Sequence, residues 1–129
     1  MKKIHMVDVV AQYKRYSSII NKRIIDVITS GQYIQGDKVK NFEDDLSQYL
    51  NSKYTISCGN GTDALYIALM ALNLKKGSEV IVPTFTFVST VEVVCLLGLK
   101  PVFVDIDANT FLVNPELIRK SISKKTYIK

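Results

Sequence analysis

Residues 79–105 read EVIVPTFTFVSTVEVVCLLGLKPVFVD and carry the strongest structural signal in the chain. A β-branched run stops at Pro83, apolar residues then recur at helical spacing from Thr84 to Leu97, and a second β-rich run covers residues 101–105. Two strands that are joined by a helix pair in parallel through a right-handed crossover. The sequence therefore predicts an α/β fold in which mostly parallel strands alternate with helices.

The same alternation continues on both sides of this stretch. Residues 54–58 predict a short strand, which is followed by a glycine turn and another helix. On the other side, Asn114 and Pro115 predict the start of a helix that runs to about Ser123. Residues 126–128 predict the first residues of a further strand.

The N-terminal part of the chain is expected to be helical. Apolar residues recur at helical spacing up to the Ser30–Gly31 stop, and a second helix begins with Asp37 as its N-cap. We expect residues 1–52 to form N-terminal helices and a loop, and residues 53–129 to form βα units of the same domain.

Composition excludes several classes of protein. The 129 residues are 47% hydrophobic and carry a net charge of +5, which argues against disorder. No apolar run is long enough for a membrane helix, and the N-terminus lacks the apolar segment of a signal peptide, so we expect a cytoplasmic protein. The basic residues are interpreted as solvated helix faces, not as a nucleic-acid surface. Cys58 and Cys95 lack the spacing and partners of a metal site.

The turn at residues 59–62, GNGT, joins a strand to the start of a helix. A helix N-terminus presents unpaired N–H groups and partial positive charge, two glycines permit close approach, and Thr62 adds a hydroxyl, which together suit a phosphate. The alternative is a plain βα turn with Thr62 as the helix cap. The spacing alone leaves both interpretations open.

A second segment, residues 83–90, follows a strand at the edge of a parallel sheet where ligands bind. One of its rings, Phe85 or Phe87, can serve as a stacking platform, but taken alone the segment favours burial of both rings in the core. Asp105 and Asp107 follow the next strand, and turn or capping roles are favoured over ligand contact.

Taken in order, these segments resemble the DegT/StrS family of pyridoxal-phosphate sugar aminotransferases. The resemblance covers nearly the whole chain, and each motif is weak alone but specific in this order and spacing. The motifs are SGQYIQG at residues 30–36, GNGTDAL at 59–65, GSEVIVP at 77–83, TFTFVST at 84–90 and PVFVDID at 101–107, with Val39, Phe42, Glu43, Gly98 and Thr110 between and after them.

The resemblance implies a fold type I homodimer that uses pyridoxal 5'-phosphate to move an amino group from glutamate to a nucleotide-linked keto-deoxysugar, in surface polysaccharide or glycoconjugate assembly. It implies that Gly61, Thr62 and the N–H of Asp63 hold the cofactor phosphate and that Phe87 stacks on the pyridine ring. Tyr33 and Ile34 are implied to lie near the dimer-related active site, where they contact substrate.

The family's Schiff-base lysine and the aspartate that pairs with the pyridine nitrogen match no residue of this chain. We therefore expect no catalytic residue here, a chain equivalent to the N-terminal third of the enzyme, and no transamination by these residues alone. The sheet is expected to be incomplete, because strands that come later in such enzymes lie between the first strand and the next two.

Two other functions remain as alternatives. The turn at residues 59–62 is compatible with a small phosphate- or nucleotide-binding α/β domain that is complete in itself. The basic N-terminal helix is compatible with a non-enzymatic interaction module, whose binding to nucleic acid would weaken steeply with added salt.

Overall fold

The computed structural model describes residues 6–126. Two compact units divide the chain, the first reaching Ser57 and the second beginning at Cys58. The predicted strand at residues 126–128 lies outside the described residues except for Thr126, and that residue forms an isolated parallel bridge with Glu79.

The first unit contains helices α1, Val9–Ser30, and α2, Asp37–Leu50. Helix α1 begins where the Asp8 carboxylate accepts the Ala11 N–H and ends where Gly31 takes the left-handed conformation, at φ 68°. The predicted stop at Ser30–Gly31 is therefore confirmed. No residue of these two helices is buried in the described structure, so both carry exposed apolar side chains.

The start of α2 differs from the prediction by one residue. Gly36 is the N-cap and Asp37 is the first helical residue, so Asp37 does not cap the helix. The Asp37 N–H donates instead to Oε1 of Gln32, at 3.3 Å, which satisfies one of the free amides that a cap side chain would otherwise take.

The second unit is the α/β part of the chain. Its elements are α3 (Gly61–Ala71), β1 (Glu79–Pro83), α4 (Ser89–Leu96), β2 (Lys100–Val104) and α5 (Pro115–Ser121). β1 and β2 pair in parallel, from Glu79 against Lys100 to Pro83 against Val104. Val82, Val93, Val94 and Leu99 form the buried cluster between sheet and helices. The parallel pair that residues 79–105 predict is confirmed.

One predicted strand is absent from the described residues, and one predicted helix is shorter than expected. Residues 54–58 form no strand, because no backbone ladder within the described residues pairs with them. The helix after Pro83 spans Ser89–Leu96 only, since the Thr84 N–H still donates to the Val104 carbonyl at 2.9 Å and extends the sheet pairing. Helix α5 starts at the predicted Asn114–Pro115 signal and ends at Ser121, slightly earlier than expected.

Candidate functional site

The start of α3 is closed by a reciprocal pair of side chains. Asn60 is the N-cap, in extended conformation, and its Oδ1 accepts the Asp63 N–H at 2.9 Å. Its Nδ2 in turn donates to Oδ2 of Asp63 at 3.0 Å. The interpretation of Thr62 as the cap is therefore wrong, because the capping role belongs to Asn60.

Capping by Asn60 leaves three donors free at this corner. Within the described residues, the N–H groups of Gly61 and Thr62 and the Thr62 hydroxyl have no hydrogen-bond partner. A Cβ built on Gly61 would meet nothing within 4 Å, so the backbone is open to close approach. The residues present therefore fit a phosphoryl group, which needs convergent N–H and O–H donors at a helix start.

The amide of Asp63, which the resemblance also assigns to the phosphate, has a hydrogen-bond partner in this structure, and its cofactor role stays a prediction. Its N–H already donates to Asn60, so in this conformation it is not free to hold a phosphate. The Asp63 carboxylate bends back toward Gly59, where a Cβ would lie 2.7 Å from Oδ2. Asp63 thus contributes to the corner by stabilising the cap that orders the free donors.

Helices α3 and α4 of the second unit pack against each other. Met70, in the last turn of α3, and Leu97, the residue after α4, line one small cavity of about 120 Å³. The loop that carries Phe87 follows the carboxyl end of β1, the edge at which parallel sheets bind ligands.

The prediction that the rings of Phe85 and Phe87 are both buried in the core is wrong. Phe87 is 74% exposed and Phe85 is 66% exposed, because both lie in the loop between β1 and α4. The backbone carbonyl of Phe87 accepts the Thr90 N–H at 3.1 Å, which ties the loop to the first turn of α4. Ser89, at the start of that helix, is buried at 7% exposure. The Phe87 ring is therefore free to contact a ligand while its backbone is held.

Asp105 and Asp107 have the turn roles that the sequence favours. Oδ1 of Asp105 accepts the Thr84 hydroxyl at 3.1 Å and the Ile106 N–H at 2.8 Å, which joins the ends of β1 and β2. Oδ1 of Asp107 accepts two backbone N–H groups and the Thr110 hydroxyl. The backbone N–H of Thr110 is the main reason that the pKa of Asp107 lies below its usual value.

Tyr33 and Ile34 belong to the first unit, in the loop between α1 and α2. The Tyr33 hydroxyl donates to the Ile28 carbonyl at 3.0 Å, which fixes the side chain against the end of α1. Ile34 is 89% exposed. One residue is thus ordered and the other is free for contact, and the substrate role of both stays a prediction.

Two features of this region were not predicted from the sequence. Asn60 three residues before Asp63 is the spacing of a capping box, a local signal that identifies the true cap. Glu43 accepts the N–H and hydroxyl of Ser57, each at 2.7 Å, and this contact has no local signal because fourteen residues separate the partners.

Metal and membrane features were searched over residues 6–126. No group of three or more histidine, cysteine, aspartate or glutamate side chains is placed to hold a metal ion there. None of the helices in this part of the chain combines the length and hydropathy that crossing a membrane requires.

A profile of the DegT/DnrJ/EryC1/StrS aminotransferase family matches residues 15–128. The chain belongs to this family. Its members therefore supply the comparison for the corner at Gly61 and Thr62 and for the loop that carries Phe87. The chain spans about a third of the length of the curated relatives it matches.

One similar relative is the UDP-2-acetamido-2-deoxy-3-oxo-D-glucuronate aminotransferase of Pseudomonas aeruginosa. It is 46% identical over 123 residues, which cover 95% of this chain and 34% of the relative. This relative is, as its name states, an aminotransferase that acts on a UDP-linked sugar.

Solved structures of the family overlap closely with the chain. DesV of S. venezuelae, in complex with a ketimine intermediate, aligns with a TM-score of 0.94 at 28% identity, over 98% of this chain and 34% of DesV. The E. coli GDP-4-keto-6-deoxy-D-mannose-3-dehydratase with bound hydrated PLP (pyridoxal phosphate) aligns at 0.76 and 31% identity, over 82% and 29% of the two chains. The overlap confirms the expected fold class: part of a fold type I large domain with an incomplete sheet.

Proposed function

We propose that the protein carrying this chain is a pyridoxal-phosphate-dependent sugar aminotransferase, and that Gly61, Thr62 and Phe87 contribute to its cofactor site. The observation that supports this most directly is the start of α3, where Asn60 takes the capping role and leaves the donors of Gly61 and Thr62 free. Membership of the family gives those free donors their ligand, the cofactor phosphate.

The residues of the corner bind and orient. The N–H groups of Gly61 and Thr62, with the Thr62 hydroxyl, would hold the phosphate at the positive end of the α3 dipole. The exposed Phe87 ring would stack on the flat face of the pyridine and limit its tilt. When bound, pyridoxal phosphate supplies the electron sink for moving an amino group between two substrates.

We assign substrate contacts to the loop of Tyr33 and Ile34. The hydrogen bond from Tyr33 to the Ile28 carbonyl orders the loop while leaving the Ile34 side chain exposed. In a homodimer of this family type, that loop serves the active site related by dimer symmetry. Residues 1–52 are then the N-terminal helices, and residues 53–129 the βα units, of one cofactor-binding large domain.

The proposed amino donor is glutamate and the acceptor is a nucleotide-linked keto-deoxysugar, in cytoplasmic assembly of surface polysaccharide or glycoconjugate. The support for a nucleotide-linked keto sugar is the name of the Pseudomonas relative, whose substrate is a UDP-linked sugar with a 3-oxo group. Residues 1–129 contain no residue that we assign to bond making. Expressed alone, they are expected to give no transamination.

A second candidate is dehydration of a keto sugar, because a related structure is a dehydratase with bound PLP. Both activities need the same phosphate corner, so the geometry of α3 does not distinguish them. The greater identity to an aminotransferase, 46% against 31%, makes amino transfer the first proposal. A self-contained phosphate- or nucleotide-binding domain has less support, because its sheet has only two paired strands in the described residues.

The test combines cofactor uptake with product analysis. The purified protein carrying this chain is titrated with PLP. Binding is monitored by the absorbance band of the bound cofactor, which shifts on borohydride reduction. It is then incubated with L-glutamate and UDP-linked 3-keto sugars, with products identified by mass spectrometry. An amino sugar and 2-oxoglutarate support the proposal; a deoxygenated keto sugar supports the dehydratase instead. Absence of any cofactor band rejects both, and binding of nucleotide alone favours the small binding domain.

A further inference from the structure

We propose that Phe111 is a positioning residue for the Phe87 ring, acting through Phe85. This inference rests on the proposed function, because Phe87 is taken to stack on the pyridine of the cofactor. All three residues belong to the second unit, so the contacts that carry the inference lie within one compact part of the chain. Phe111 itself is not proposed to touch the cofactor.

Phe111 has an unusual backbone conformation for an aromatic residue. Its φ is 58°, in the left-handed region, which costs free energy for a large side chain. The turn at residues 107–112 holds it there, because the Asp107 N–H donates to the Leu112 carbonyl at 2.8 Å and the Phe111 N–H donates to the Asp107 carbonyl at 2.9 Å. Glycine would take this φ without steric cost, so the turn itself gives no reason for a ring at this position.

The Phe111 ring contacts the ring of Phe85, which lies in a different loop. The ring centroids are 5.6 Å apart and the ring planes are tilted by 45°, within the range of favourable aromatic pairs. Phe85 belongs to the β1–α4 loop, residues 84–88, and precedes Phe87 by two positions. Both rings of the pair are mostly exposed and neither belongs to the buried cluster, so the contact joins two loops and does not extend the core.

The ring pair is one of three contacts that hold consecutive residues of the β1–α4 loop. The Thr84 hydroxyl donates to Oδ1 of Asp105 at 3.1 Å, and the hydroxyls of Thr86 and Thr90 are hydrogen-bonded at 3.0 Å. Within the part of the chain that the structure describes, no backbone-to-backbone hydrogen bond involves Phe85 or Thr86. Loss of the ring pair would therefore release the middle of the loop while both of its ends stay attached.

Movement in the middle of this loop bears directly on Phe87. The Phe87 carbonyl accepts the Thr90 N–H at 3.1 Å, but its ring is largely exposed and has no aromatic partner among the described residues. A ring whose backbone is ordered beforehand loses less conformational freedom when it stacks on a flat ligand, so it binds more tightly. The contact between Phe85 and Phe111 thus sets the position from which Phe87 stacks.

The experiment compares three substitutions of Phe111 in the protein carrying this chain, with PLP titrated by fluorescence into the apo form. Phe111→Ala and Phe111→Gly both remove the ring and should raise the dissociation constant for PLP about threefold, the scale of one lost ring contact. Phe111→Tyr keeps the ring and should keep the wild-type affinity. Leu112→Ala is the matched control, because it removes the neighbouring exposed side chain, and it should also bind PLP as the wild type does.

Thermal unfolding separates positioning from a merely structural role. Glycine accepts a φ of 58° whereas alanine does not, so Phe111→Gly should melt at a higher temperature than Phe111→Ala. If Phe111 only stabilised the fold, the affinity for PLP would follow the melting temperature and would differ between the two variants. Equal losses of affinity support the proposal, and an affinity that follows the melting temperature contradicts it.

A double variant tests whether the effect passes through Phe87. Once Phe87→Ala has removed the stacking ring, Phe111→Gly should weaken PLP binding no further, because its only route to the cofactor is gone. Additive losses in the double variant would show that the two residues act separately, against the proposal.

Hydrogen exchange of the apo protein gives a readout that needs no cofactor. The Thr90 amide, which donates to the Phe87 carbonyl, should exchange several-fold faster in Phe111→Gly and in Phe85→Ala, while the amides within α3 stay unchanged. Unchanged exchange at Thr90, or wild-type affinity for PLP in Phe111→Gly, would overturn the proposal. If the wild type takes up no PLP, the proposed function fails, and the exchange rates still decide whether Phe111 orders the loop. If Phe111→Gly does not fold, Phe85→Ala decides by the same two measurements.

Discussion

Gly61→Ala separates the requirements of the fold from those of the ligand. In the protein, a Cβ at this position meets nothing within 4 Å, and φ is not in the left-handed region. Since Gly61 is the first residue of α3, alanine should be tolerated by the backbone. Alanine is favoured over glycine within helices by roughly 0.5–1 kcal/mol, so the apo protein should melt at an unchanged or slightly higher temperature.

The same methyl group occupies the space that a phosphoryl group would approach. If it displaces the phosphate from one backbone N–H, the loss is that of one hydrogen bond to a charged group, about 1.5–3 kcal/mol. Since one decade of affinity corresponds to about 1.4 kcal/mol, the dissociation constant for PLP should rise roughly 10- to 150-fold.

The assay pairs fluorescence titration of the apo protein with PLP and thermal unfolding of the same sample. Gly59→Ala is the contrasting variant, because its Cβ would lie 2.7 Å from Oδ2 of Asp63 and disturb the cap. That variant should lower the melting temperature, whereas Gly61→Ala should not. Wild-type affinity for PLP in a well-folded Gly61→Ala protein would refute the assignment of the corner to the phosphate.

Three further predictions concern the cap, the ring and pH. Asn60→Ala should lower the stability of the protein by about 1 kcal/mol in urea unfolding, and Asn60→Ser, whose hydroxyl can accept the Asp63 N–H, should restore most of it. Asn60→Asp should restore less, because its carboxylate would face that of Asp63 where Nδ2 of Asn60 now donates. Phe87→Ala should leave the melting temperature unchanged, because the ring is 74% exposed, yet weaken PLP about two- to tenfold, as expected for a lost ring contact of about 0.5–1.5 kcal/mol; an equal affinity would remove Phe87 from the site. The lowered pKa of Asp107 stabilises the fold above the unfolded pKa of about 3.9, and this contribution is lost as pH falls through the lower folded value. Asp107→Asn should therefore melt earlier than the wild type at pH 7, and the difference should shrink as the pH falls below the folded pKa of Asp107.

The elements that the sequence predicted well are those whose causes lie within a few residues. The glycine after Ser30 ends α1, and Asn114 with Pro115 starts α5, because caps act over one helical turn. The strands β1 and β2 also follow the prediction, since one short crossover brings them together. The start of α4 was predicted too early because its cause lies farther away in the sequence. The hydrogen bond between Thr84 and Val104 keeps the chain extended past Pro83.

Residues 54–58 show why the same reasoning fails for a strand without a neighbour. Their composition favours extended structure, and side chains of α2 hold them, but a strand exists only where another strand supplies its ladder. The free donors of Gly61 and Thr62 could be predicted because they are the first polar groups of one helix. The contact between Glu43 and Ser57 could not, because it joins residues that only the tertiary fold brings together. Local sequence therefore indicates where unpaired donors lie, whereas contacts between residues that are distant in sequence depend on the tertiary fold.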